Sequence, residues 1–93
     1  MSRAFVNEDA QSPEPVYRLP DRDSDYYDEA AAWALIEGAD GGDSLGAERA
    51  TGYLWGEERL IPQFEKILAE AVEKDEMRVA QLARRFLKAA EAG

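Results

Sequence analysis

Chemically reactive side chains are few in this 93-residue chain, and carboxylates are the main ones. Asp40, Asp43 and Glu48 surround a glycine-rich loop and could offer oxygen ligands to Mg²⁺ or Ca²⁺. The calcium-loop pattern of alternating aspartates closed by a glutamate is absent, so we interpret the group as a solvated loop. Glu57 and Glu58 are neighbours in sequence, and neighbouring side chains on a helix point apart. This argues against paired-carboxylate catalysis.

Histidine and cysteine are both missing from the chain. The usual general base near neutral pH, Ser-His-Asp triads, and zinc sites built on imidazole or thiolate are therefore excluded. Gly38, Gly41 and Gly42 follow a predicted helix instead of a strand and have no lysine beside them, unlike a phosphate-binding loop. We predict a protein that is not an enzyme and that uses no metal ion or cofactor.

The segment 52–56 places Tyr53, Leu54 and Trp55 between two glycines and is the densest group of large apolar residues. Glycines favour a turn there, and the aromatic rings then need a partner inside or outside the chain. We expect Trp55 to be a wedge between the second and third helices, whereas Tyr53 could belong to the core or to an interface. The candidate partner-binding residues are the prominent aromatic side chains Phe5, Trp33, Tyr53 and Trp55.

The formal net charge of −9 is concentrated in the first two thirds of the chain. Residues 1–59 hold 14 acidic and 5 basic side chains, whereas residues 60–93 hold 6 of each. Such a surface repels phosphate backbones and anionic lipids, so we predict no direct nucleic-acid binding and no membrane binding. The basic group Arg84, Arg85 and Lys88 lies where cations favour the C-terminal end of a helix.

Two parts of the chain differ in pattern. Residues 1–23 contain three prolines and many charges without regular periodicity, which predicts an extended or disordered arm. The arm carries four apolar residues with which it could dock on the domain or on a partner: Phe5, Val6, Tyr17 and Leu19. Residues 24–93 are expected to form a single helical domain.

The first two helices follow from capping residues and glycines. Ser24 or Asp25 is expected to cap a helix that ends at Gly38. We expect the buried face of this helix to combine Tyr26, Ala30, Trp33 and either Ile36 or Glu37. Asp43 or Ser44 could cap a second, weaker helix that ends at Gly52.

The C-terminal third has the strongest helical signal. Pro62 suits a helix start, and two apolar stripes follow it, one from Phe64 to Val72 and one from Val79 to Ala90. The polar residues between the stripes permit a helical hairpin, with Asp75 capping the last helix, or one long helix. We favour the hairpin because an uninterrupted helix of about 30 residues is rare in a small domain.

The predicted fold is therefore all-α, a small bundle of three to four helices with an irregular N-terminal arm. There is no apolar run of about 20 residues, and the N-terminus lacks the pattern of a signal peptide. The absence of cysteine fits a reducing compartment. We expect a soluble protein of the cytoplasm.

The N-terminal residues 1–9 resemble the leader of some bacterial Gre-type transcript-cleavage factors. Gly42-Asp43 with Ala47-Glu48 is similar to the acidic tip of their helical hairpin, and residues 53–59 are similar to a further stretch in some of them. The resemblance implies a bacterial protein associated with RNA polymerase. It would assign Asp43 and Glu48 to helping the polymerase hold a metal ion for transcript cleavage.

We therefore predict an acidic helical domain that acts by binding another protein. One alternative is the Gre-like factor, a fragment or relative associated with RNA polymerase. Another is a homo-oligomer that assembles through the C-terminal helices, using the stripe Val79, Leu82 and Phe86.

Overall fold

The computed structural model describes residues 17–92, which fold into four α-helices and one short 3₁₀ helix. The helices are α1 (Tyr27–Asp40), α2 (Ser44–Thr51), the 3₁₀ helix (Glu58–Leu60), α3 (Ile61–Glu73) and α4 (Met77–Ala92). No strand occurs in this part of the chain, so the all-α fold is confirmed. None of its helices has the length and apolar character needed to cross a membrane.

Helix α1 begins and ends later than the capping residues indicated. Ser24 forms a turn instead of a cap: its Oγ accepts the N–H of Tyr26 at 3.1 Å and its carbonyl accepts the N–H of Tyr27 at 3.1 Å. The helix continues through Gly38 and is closed by Gly42, which has φ +77°. The N–H of Asp43 then returns to the Gly38 carbonyl at 2.6 Å, the hydrogen bond of a Schellman motif.

Gly38 serves close packing between α1 and α2, not helix termination. A Cβ at this position would lie 2.6 Å from Ala47 Cβ and 2.9 Å from the Asp43 carbonyl oxygen. Both obstacles are short and rigidly attached, so neither can rotate away. Glycine therefore sets how closely the two helices approach.

Gly38→Ala is expected to lower the free energy of unfolding by about 1–3 kcal/mol because it overpacks this contact. In an exposed helix interior the same change would raise the free energy of unfolding by about 1 kcal/mol. The sign of the measured change therefore shows whether Gly38 is closely packed. Gly41→Ala, directly after α1, is the control: Gly41 has φ −92°, and beyond its chain neighbours an added Cβ would have only the Glu37 carbonyl oxygen within 4 Å, at 3.4 Å. Urea unfolding of both variants tests this. A Gly38→Ala protein as stable as the wild type would contradict the close approach.

The buried face of α1 differs from the predicted one. The buried residues of α1 are Tyr27, Ala31, Ala32, Ala34, Leu35, Ile36 and Gly38, of which Ala32, Leu35 and Ile36 belong to the core cluster. Of the predicted face only Ile36 is buried, while Tyr26 and Trp33 are 71% and 36% exposed. Because this helix is rich in alanine, several of its faces are apolar, and the close contact at Gly38 determines which one turns inward.

Helices α3 and α4 form the expected hairpin. The chain turns at Lys74 and Asp75, and the Asp75 backbone has φ +62°. The N–H of Glu76 donates to the Ala71 carbonyl at 2.8 Å, which closes α3 with another Schellman motif. Asp75 therefore terminates α3 and does not cap α4. Pro62 lies in the first turn of α3, as predicted.

The core lies between this hairpin and α1. Phe64 of α3 and Phe86 of α4 are fully buried and stack face to face, with ring centroids 3.6 Å apart and an interplanar angle of 2°. Further buried side chains of the same cluster are Ala32, Leu35, Ile36, Ala47, Leu60, Ile67, Leu82 and Ala83. Leu82 and Phe86 thus belong to the core of the chain, and Val79 is partly buried and packs against the same cluster.

Candidate partner-binding surface

The aromatic corner at residues 52–56 is tied to the rest of the domain through Tyr53. The Tyr53 hydroxyl donates to Asp28 Oδ1 at 2.6 Å, and Arg59 Nε donates to the other oxygen of the same carboxylate at 3.3 Å. This hydrogen bond to Asp28, followed by burial, raises the pKa of Tyr53. The Tyr53 ring also lies 6.2 Å from that of Tyr27. Tyr53 is half-buried and connects the corner to the start of α1.

Trp55 is anchored from two sides. Its backbone N–H donates to Glu48 Oε2 on α2 at 2.7 Å. Its ring makes T-shaped contacts with Phe64 and Phe86, at centroid distances of 6.2 and 5.1 Å. Trp55 therefore contacts α2 through its backbone N–H, and α3 and α4 through its ring. The sequence did not indicate the contact of the ring with α4.

Leu54 is the exposed tip of the corner, with 66% of its surface accessible. Beside it lies an open groove of about 320 Å³, bounded by the corner, Glu57 and Glu58, and by Ala89 and Ala90 of α4. At the base of the corner Gly56 lies against the α4 backbone, so that an added Cβ would be 3.2 Å from the Ala89 carbonyl carbon.

Trp33 has a different environment from the other aromatic candidates. It projects from the middle of α1 into a second open groove of about 450 Å³, which is lined by Arg18, Ala30, Trp33, Ala34 and Glu37. In the described part of the chain, no aromatic ring pair involves Trp33. Its large ring stays 36% exposed although it sits on an apolar stripe.

The apolar stripe that the sequence assigned to the core is thus the outer face of α1. Tyr26, the residue before α1, and Ala30 and Trp33 within α1 follow one another at spacings of four and three residues, which align on one side of a helix. We call this set the α1 outer face. Phe5, the remaining candidate residue, lies outside the described residues.

The carboxylates around the glycine loop are occupied within the chain. Asp43 accepts the Tyr17 hydroxyl at 2.8 Å, Glu48 accepts the Trp55 N–H, and Asp40 pairs with Arg78 Nε at 2.8 Å. Within residues 17–92 no group of three or more potential metal-ligating side chains is found. The acidic residues of the loop thus make hydrogen bonds and an ion pair with other parts of the chain.

Tyr17 fixes the chain that leads into the domain. Burial, and then its hydrogen bond to Asp43 and the negative charges of Asp43 and Glu37, raise the pKa of Tyr17 from 10.0 to about 12. Tyr17 packs against the core cluster, and the next residue, Arg18, lines the Trp33 groove. The described end of the arm therefore contacts the helical domain at Tyr17 and Arg18.

The hydrogen bond of Tyr17 to Asp43 should make the free energy of unfolding depend on pH in the alkaline range. The unfolded chain loses the phenolic proton near pH 10 but the folded chain keeps it to about pH 12, so the stabilisation is complete below pH 10 and is lost as the pH rises towards 12. Tyr17→Phe should reduce the fall in the free energy of unfolding between about pH 10 and pH 12, measured by urea unfolding. An unchanged pH dependence in this variant would contradict the assignment.

The basic group Arg84, Arg85 and Lys88 is exposed on α4.

Comparison of the chain with protein families, curated proteins and solved structures gave no match.

Proposed function

We propose that this protein is a non-catalytic protein-interaction domain of the cytoplasm whose partner docks on the α1 outer face, with Trp33 as the anchor. The observation that carries the proposal is that Trp33 lies outside the core cluster and lines an open groove, with 36% of its surface exposed. Tryptophan is the residue most enriched among side chains that dominate binding energy in protein interfaces.

The rest of the chain supports binding over catalysis. The sequence has no histidine or cysteine, and the carboxylates of the glycine loop are engaged in hydrogen bonds and an ion pair. The groove at Trp33 is open and has only Arg18 and Glu37 as charged walls, which suits a flat protein contact better than an enclosed small ligand. The absence of cysteine fits a reducing cytoplasm.

Comparative capture tests the proposal. The tagged wild type and the variants Trp33→Ala, Leu54→Ala and Val72→Ala are incubated with extract of the source cells, and retained proteins are quantified. Leu54 represents the second groove, and Val72 is an exposed apolar residue on α3 that lines neither groove. We expect a protein that is retained by the wild type and by the other two variants and is reduced at least about tenfold by Trp33→Ala. Equal retention by Trp33→Ala, or a loss confined to Leu54→Ala, would refute the proposal.

A further inference from the structure

We infer that the docking segment is cationic: an amphipathic stretch of a partner protein whose apolar side chains enter the Trp33 groove and whose Lys or Arg side chains lie about one helical turn to either side. The inference rests on the proposed function and adds the chemistry of the partner. It follows from the charges that surround Trp33.

Two exposed carboxylates frame Trp33. Glu29 precedes it by four residues and Glu37 follows it by four, so all three side chains share one side of α1. Both glutamates are exposed, and Glu37 also lines the groove. A partner that covers Trp33 must therefore approach both carboxylates.

These glutamates differ from the other acids of α1. The two ion pairs found in residues 17–92 use Asp28, with Arg59, and Asp40, with Arg78. Glu29 and Glu37 take part in neither pair, so their charges are the ones presented to a partner. Arg18 is the one cation among the groove residues and can meet a single carboxylate or carbonyl of the same segment.

Other occupants fit these charges less well. A second copy of the chain would bring another net charge of −9 and another pair of glutamates to the contact. A nucleic acid or an anionic membrane would be repelled for the same reason. A cationic protein segment gains from both the apolar groove and its acidic frame.

The dimensions suit a helix. α1 has 14 residues and is therefore about 21 Å long, enough to support a partner helix of similar length with its apolar side chains three and four residues apart. The probe is accordingly a labelled amphipathic peptide of leucine and lysine with the length of α1. A matched peptide carries glutamate at every lysine position.

Binding of the two peptides is measured by fluorescence anisotropy. The leucine–lysine peptide should bind the wild type, and the leucine–glutamate peptide should bind at least about tenfold more weakly. Glu29→Lys combined with Glu37→Lys should weaken binding of the first peptide about tenfold. The control, Glu65→Lys combined with Glu70→Lys, makes the same change of net charge at exposed positions of α3 and should have a clearly smaller effect.

The outcomes separate the two proposals. Equal weakening by both double variants would mean attraction by net charge alone and would overturn the inference. Loss of binding in Trp33→Ala with no effect of the Glu29 and Glu37 changes would overturn the cationic partner but keep the docking face. Unchanged binding in Trp33→Ala would overturn both, as would sedimentation of the protein alone as a dimer that Trp33→Ala converts to a monomer.

Discussion

Phe86→Ala is expected to lower the free energy of unfolding by about 3–5 kcal/mol, a large part of the total for a domain of this size. The ring is fully buried, stacks on Phe64 and makes a T-shaped contact with Trp55. Its removal leaves a cavity at the point where α3, α4 and the aromatic corner meet. Denaturant unfolding followed by circular dichroism measures the loss.

Trp33→Ala is the matched control for Phe86→Ala because it also removes a large aromatic side chain from a helix. Since Trp33 lies at the surface and alanine is the better helix former, we expect a loss of about 1 kcal/mol or less. The contrast distinguishes core from surface aromatics. A loss for Trp33→Ala as large as that for Phe86→Ala would show that Trp33 belongs to the core.

Gly56→Ala is expected to cost about 2–4 kcal/mol because two effects act together. The backbone has φ +91°, which side chains other than glycine's rarely adopt. A Cβ would also lie 3.0 Å from Ala89 Cβ and 3.2 Å from the Ala89 carbonyl carbon. The corner would have to move away from α4, which would also disturb the Trp55 ring.

Gly42→Ala separates the two effects. Gly42 has φ +77°, but a Cβ there has no atom within 4 Å. Its substitution should therefore cost only the backbone strain, about 1–2 kcal/mol. Thermal and urea unfolding measure the loss of unfolding free energy in both variants. Equal losses would show that the contact between Gly56 and α4 adds nothing to the cost of Gly56→Ala.

The hairpin could be predicted from the sequence because α3 and α4 each have one apolar and one polar face. The stripe that contains Phe64 and Ile67 has charged residues opposite it, so only one orientation buries apolar surface. In α1 the alanines make several faces similarly apolar. The apolar pattern of the sequence therefore predicted Tyr26 and Trp33 to be buried. Contact between Gly38 and Ala47 decides the orientation, and no local pattern reports such a tertiary contact.

The candidate site could be predicted only as a set of residue types. Aromatic residues in a small acidic chain pointed to Trp33, Tyr53 and Trp55 together, and the structure separates them. Tyr53 and Trp55 are held by Asp28 and by the phenylalanine stack, whereas Trp33 lines an open groove. Asp28 is more than 20 residues from Tyr53 in the sequence, and Phe86 is about 30 residues from Trp55. Residue spacing could not reveal contacts over such separations.

The most direct test of the partner surface is a photo-crosslinking measurement in the source cells. Tyr26 and Leu54 are both exposed, and each is replaced in turn by p-benzoylphenylalanine. The position 26 probe lies on the α1 outer face and the position 54 probe lies at the other groove. We expect light-dependent adducts to another protein from position 26, abolished by adding Trp33→Ala, and none from position 54. Adducts from position 54 alone, or adducts from position 26 that persist in Trp33→Ala, would contradict the account.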